Sequence, residues 1–441
     1  MNSISKKWYP AFLVLIVISL ISVFSPVEIY NPDTSKINFA DVAWVLVASG
    51  LVFLMTPGLS FFYGGMVSRK NVISTMLQGF IACGVISILW VVVGFSLAFG
   101  PSIGGIIGNP TSYFMMKGIA SAKPWTLAPT IPLILFALFQ LKFAIITPAL
   151  VVGAFAERIR FSAYLLFMVL FSLFIYAPIA HWTWHPDGFL AKLGVLDFAG
   201  GTVVHISAGT AALAGALVLK RRKAHIENIV HPPANIPFVV LGTGLLWFGW
   251  FGFNAGSAFS ASSLAVHAFF TSNTASASAA LTWIFFDAIR GRKPSALGFC
   301  IGAVVGLVAI TPGAGYVGIG QSIFIGFLAS IISNTLVHWK SQTSIDDTLD
   351  VFPCHGVGGM VGMLLTGFFA SKKINPSGSD GWFYGNFELF KNNALGMLCV
   401  VAFSFVMGFL IFKLVDIIIP LRVVDEEELI GLDESQHDEN F

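Results

Sequence analysis

Apolar residues fill this chain in long runs, and short polar or basic segments punctuate them. Eleven runs follow residue 25, near 40–65, 74–99, 130–155, 161–181, 199–220, 236–256, 262–287, 295–312, 315–337, 348–370 and 394–419. Each is close to the ~20 residues that a helix needs to cross ~30 Å of hydrocarbon. Glycine and proline interrupt many of them, which helices in lipid tolerate. Clusters such as "AGTAALAGA" supply the small residues that let such helices approach closely. An earlier apolar run, from Trp8 to about Ile21, follows Lys6 and Lys7. It reads as a secretory signal over 1–25, cleaved near Ser25, or as an additional uncleaved membrane helix.

The breaks between runs orient the chain. With the mature N-terminus outside, the inner segments are 68–71, 156–160, 220–228, 290–294, 338–344 and a tail after Leu421. These hold most of the lysines and arginines, whereas the outer loops 100–129 and 182–198 hold only Lys117, Lys123 and Lys192. Lys372, Lys373 and Lys391 are mild exceptions to an otherwise positive-inside pattern. The expected division is a signal peptide (1–25), a transmembrane domain (26–421) and a cytoplasmic tail (422–441). The tail, "RVVDEEELIGLDESQHDENF", is either a disordered solubilising end or a segment that docks on the inner face.

Composition agrees with this class. Hydrophobic residues make up 56% and charged residues 10%, against about 25% charged in a soluble domain. A net charge of +2, with no basic patch, leaves nucleic acid out as a partner and the lipid bilayer in. The four cysteines are scattered without metal or CxxC spacing and read as small core residues.

Ionisable groups inside apolar spans are costly and tend to be functional. His205 lies in "GGTVVHISAG" and His355 in "DVFPCHGVGG", in spans five and ten. Each has an upstream aspartate, Asp197 and Asp350 respectively. Either histidine alone could be a packed core residue. Two at matching places suggest an inverted repeat of spans one to five and six to ten. Because an imidazole can donate at one nitrogen and accept at the other, two facing rings could pass a proton through an apolar lumen. Phe139 and Phe143, four apart, share a helix face, and Phe253 lies near the outer end of span six. Most of the 43 phenylalanines face lipid or core, so spacing alone does not make these a gate.

Five segments together carry a resemblance. "TPGLSFFYGGMVSRKN", "FQ…FAIITPALVVGAFAERIRF", "DFAGGTVVHISAG", "WFGFNAGSA" and "DDTLDVFPCHGVGGMVG", in this order, resemble the ammonium transporter (Amt/MEP/Rh) family, in its Amt branch. The resemblance runs from about Ala40 to the tail. It implies an all-α polytopic membrane protein with eleven transmembrane helices, two pseudo-symmetric inverted five-helix halves plus a C-terminal helix, assembled as a homotrimer in the cell (inner or plasma) membrane. It implies that ammonium is recruited outside and deprotonated, that ammonia crosses a hydrophobic pore, and that a proton follows separately, making uptake electrogenic. By motif position Trp184, Phe143 and Ser257 resemble the recruitment site, through cation–π attraction and a hydroxyl acceptor. Phe143 and Phe253 resemble the pore gate, and His205 and His355 the proton-relaying pair. Asp197 resembles the buried aspartate that supports the binding site by organising helix-end amides. No cofactor, metal or enzymatic activity is implied, and a PII-type signal protein is a possible partner at the cytoplasmic face.

Requiring deprotonation separates ammonium from potassium, a cation of similar size with no proton to lose; an apolar lumen penalises whatever stays charged. Two departures stand out. Lys142 sits beside Phe143, where an apolar residue would be cheaper; it reads as a side chain that snorkels, pairs with a carboxylate or meets another subunit, about 100° round the helix from Phe143 and outside the pore. The tail has Asp438 where the family usually has glycine, and it lacks the terminal tyrosine. Competing readings are an ammonium receptor signalling through a partner, a membrane enzyme, and an Rh-type gas channel. The enzyme lacks a nucleophile, a metal cluster or a phosphate loop, and the Amt-like motifs argue against the gas channel.

Overall fold

The computed structural model describes residues 3–25, 34–229 and 231–441. The segment 26–33, just beyond the expected cleavage point, lies outside the described residues. Among the described residues the fold is helical apart from one antiparallel hairpin, β1 (Ser102–Ile103) with β2 (Ile107–Gly108), in the loop 100–129, and an isolated bridge between Ile159 and Arg422. Helix α1 (Ser3–Val23) precedes α2 (Phe39–Met66), α3 (Arg69–Phe99), α4 (Leu133–Ala154), α5 (Phe161–Lys192) and α6 (Gly201–Leu219). Then come α7 (Ile236–Gly256), α8 (Ser263–Ile289), α9 (Ala296–Ile310), α10 (Ile319–Lys340), α11 (Phe352–Phe369) and α12 (Phe387–Ile418). Two short helices end the chain, α13 (Asp425–Ile430) and α14 (Leu432–His437).

Among the described residues, nine helices are long and apolar enough to cross a membrane: α2 to α7 and α10 to α12. Helix α8 has the length, 27 residues, but not the apolarity. Its serines and threonines spend their hydroxyls on a neighbour, with Ser278 Oγ donating to the Ile323 carbonyl at 2.8 Å and Thr274 bonded to Ser322 on α10. Ser330 Oγ returns the contact to Ala279 at 2.8 Å. The polar pattern of α8 is thus helix–helix adhesive of the kind used in lipid. Helix α9, with 15 residues, is short for a span and packs against α8 and α10.

Two helices start irregularly, and these carry the histidines. Helix α6 begins with a π-helical turn over Gly201–Ile206 and α11 with another over Phe352–Val357. Such wide turns often mark functional positions. The two helices cross where Gly209 of α6 meets the backbone of Gly356 on α11, with no room for a Cβ at Gly209. That close approach turns His205 and His355 toward each other.

The tail is docked. The chain leaving α12 pairs with the loop between α4 and α5, Arg160 N donating to Leu421 O at 2.7 Å and Val423 N to Arg158 O at 3.1 Å. Of the two readings of the tail, docking is the one that holds.

Candidate functional site

Asp197 builds the entrance to α6. Its Oδ1 accepts from the Gly200 and Gly201 amides at 2.8 and 2.7 Å, and its Oδ2 from the Thr202 amide and hydroxyl at 2.7 and 2.5 Å. An aspartate here satisfies the orphan donors of a helix start. Gly200 makes the geometry possible with φ +117°, in the left-handed region open to glycine. Both carboxylate oxygens of Asp197 are thus engaged by the start of α6.

His355 has the same support from a residue that sequence reasoning passed over. Asp347, not Asp350, caps α11: its two oxygens accept from the Val351 and Phe352 amides at 3.0 and 2.8 Å. Asp350 instead pairs with Lys340 at 2.7 Å, on a backbone with φ +58°. Asp347 precedes His355 by eight residues, as Asp197 precedes His205, so equal spacing was the available signal.

Between these capped ends the two imidazoles meet Nδ1 to Nδ1 at 3.4 Å, with ring centroids 5.5 Å apart and planes inclined by 28°. His205 is 1% exposed and His355 3%, so both rings are sealed from bulk water. One nitrogen must carry a proton and the other a lone pair for that contact to be a hydrogen bond. Among the described residues His205 Nε2 has no hydrogen-bond partner. It belongs to a narrow cavity with about 10 Å³ open to the centre of a water-sized molecule, between both histidines, Trp250, Phe253, Leu59 and Ile146. The walls are otherwise aliphatic, and an orphaned imidazole nitrogen is the polar feature offered to a small guest.

Above the histidines the aromatics form a stack. The Phe253 centroid is 6.0 Å from His205 and 4.3 Å from Phe143, tilted by 40°. Phe143 meets the edge of Trp184 at 5.7 Å and 84°, and of Phe139 at 5.0 Å and 63°. Trp184 Nε1 donates to the Asp197 carbonyl at 3.2 Å, which ties the outermost ring to the cap of α6. Ser257, one turn beyond Phe253, donates its hydroxyl proton to the Phe253 carbonyl at 2.8 Å. Its oxygen lone pairs stay free to accept. Trp250 was also missed. It lies flat on His205, centroids 5.3 Å apart and inclined by 21°, and is fixed by Nε1 donating to Thr311 Oγ1 at 2.9 Å. It precedes Phe253 by three residues, the spacing of one helix face.

The loop face that carries the tail is charged and tightly paired. Arg222 bonds Glu157 at 2.5 Å and Asp346 at 2.8 Å. Burial alone would raise both acids, but the guanidinium and nearby N–H donors hold Glu157 below its ordinary value and Asp346 far below. Arg158 is wholly buried, which pushes its guanidinium down to about 10 despite Asp346 beside it.

A bundle of membrane-crossing helices around a narrow, histidine-lined cavity with apolar walls fits a transport protein for a small solute. The chain matches the model of the Ammonium Transporter Family over residues 43–441. It belongs to that family and is a membrane transporter, not an enzyme. An ammonium transporter of Aquifex aeolicus is 45% identical over 422 residues, covering 95% of this chain and 97% of the relative. The crystal structure of Mep2 from Candida albicans superposes with a TM-score of 0.85 at 36% identity, covering 91% of this chain and 90% of that one. A structure described as a sensor Amt protein gives 0.82 at 31% identity, with 90% and 98% covered.

Proposed function

We propose that this ammonium transporter recruits ammonium at Trp184, Phe143 and Ser257, removes its proton, and conducts ammonia past Phe253 to His205 and His355. The proton follows through the paired imidazoles, so uptake is electrogenic. The observation that carries this is the 3.4 Å Nδ1–Nδ1 contact beneath a closed aromatic stack. A neutral guest can enter such an apolar passage, whereas a bare cation would lose its hydration for nothing. Asp197 serves through the amides it gathers.

The protein crosses the inner or plasma membrane eleven times, as α2 to α12, in two inverted five-helix halves plus α12. Matching aspartate–histidine spacings and π-helical turns in α6 and α11 support that symmetry. It works as a homotrimer. Residues 1–25 are a signal peptide; α1 lies almost wholly exposed from Trp8 onward, as a helix destined for removal should. The mature N-terminus is outside, and the tail is in the cytoplasm, open to a PII-type regulator. The likeness to a sensor Amt protein favours a second reading, in which ammonium occupancy is signalled through a partner.

Purified protein in liposomes on a solid-supported membrane tests this. An ammonium pulse should give a current that potassium does not, altered in the double variant His205→Ala/His355→Ala. Ammonium binding without current would overturn electrogenic transport and move the weight to the sensor or to neutral conduction.

A further inference from the structure

Lys142 stands at the middle of the first part of α4, nine residues from either end of Leu133–Val151. That is about 14 Å of helix at 1.5 Å per residue, farther than a four-carbon stem can carry its charge to water. Among the described residues it makes no ion pair. Its Nζ lies over the Phe53 ring of α2, 5.1 Å from the centroid, a weak substitute for a carboxylate. Lys142 is only partly buried on this face of the single chain, and a cation at mid-span is expensive unless it works.

Its neighbour in sequence is Phe143, the ring that touches both Trp184 and Phe253. One residue along a helix turns the side chain by about 100°, so Lys142 points away from the passage while Phe143 faces it. We infer that Lys142 is a specificity-determining charge: from behind the Phe143 wall it raises the energy of any cation resting at the foot of the recruitment site. Ammonium escapes that penalty by giving up its proton, and an ion without a proton is turned back. This deepens the proposed function and rests on its deprotonation step. The magnitude is adequate. Two charges separated by a helix width of about 10 Å, at an effective dielectric of about 20, change an equilibrium by on the order of tenfold.

Lys142 touches no substrate in this account and acts through the field at Phe143. Its removal should therefore divide binding from turnover. In the current assay, Lys142→Met should lower the half-saturating ammonium concentration by roughly three- to tenfold, lower the maximal current, and make potassium a competitor. Lys142→Arg, which keeps the charge, should behave as wild type. Unchanged half-saturation and potassium response in Lys142→Met overturn the inference while the wild-type current keeps the transport reading alive. Equal losses in Met and Arg variants, with lowered melting temperatures, overturn it in favour of packing. Absence of a wild-type ammonium current would instead remove the deprotonation reading on which it rests.

Discussion

Two aspartates, each eight residues before a buried histidine, hold their carboxylates on the first amides of a helix. Loss of a helix cap of this kind costs about 1–2 kcal/mol. Asp347→Ala should therefore lower the thermal midpoint in detergent by several degrees and reduce ammonium current by disturbing His355, while Asp350→Ala should leave the current near wild type. Equal effects of the two substitutions would return the supporting role to Asp350. At the proposed recruitment site Ser257→Ala removes one hydroxyl acceptor, a net contribution of about 0.5–1.5 kcal/mol for a typical hydrogen bond. The half-saturating ammonium concentration should rise several-fold with little change in maximal current. A fall in maximal current at unchanged half-saturation would place the hydroxyl in the turnover step instead.

At the scale of elements, the histidines, the phenylalanines and Asp197 were legible because membrane burial makes polar residues conspicuous and because their motifs are specific. Asp347 was not, since it sits in a run with two other acids, Asp346 and Asp350. Only the fold separates Asp346, bound to Arg222, from Asp347, bound to amides, and from Asp350, bound to Lys340. Helix α8 was legible as an apolar run of helical length, but its polar face becomes intelligible only against α10. Trp250 was hidden among eleven tryptophans. The crossing of α6 and α11 was hidden as well, because a glycine in an apolar run gives no sign of which glycine it will face. Gly209→Val should separate these helices, since its Cβ has no space against Gly356. Overpacking of this sort costs about 1–3 kcal/mol. The expected result is a solubilised protein with lowered melting temperature and no ammonium current, whereas Gly244→Ala, where nothing lies within 4 Å, should be silent in both.

Across the whole molecule the tail connects segments distant in sequence, those that follow α2, α4 and α6. Glu428 accepts from the Lys223 amide at 2.7 Å and from Arg422 at 2.6 Å, and Lys70 Nζ donates to the Glu428 and Leu429 carbonyls at 3.1 and 2.5 Å. Asp433 sits on the start of the α3 core helix, accepting from the Ile73 and Ser74 amides at 3.1 and 2.7 Å. Arg222 and Asp346 join this surface to the segment that caps α11, so the tail reaches the His355 helix through paired charges. His437 closes α14, with Nε2 3.1 Å from Ser74 Oγ and its ring against the edge of Phe161 at 5.0 Å.

Burial lowers the His437 imidazole from its ordinary 6.5, although Glu439 and Asp433 pull the other way. The docked state thus prefers the neutral ring. Its contribution to docking is complete above pH 6.5 and is lost as pH falls through the lower docked value. Asp433 has the opposite sign: burial raises its carboxyl from 3.8 in spite of the amides on it, so acid favours its docked form. Between pH 7.5 and 5.5 the histidine should dominate, because its free value lies inside that range. Limited proteolysis of the tail in liposome-reconstituted protein should accelerate on acidification, and His437→Gln should flatten that dependence or reverse its sign. Equal acceleration in wild type and His437→Gln would exclude this ring as the acid-sensitive contact and direct attention to the carboxylates of the tail.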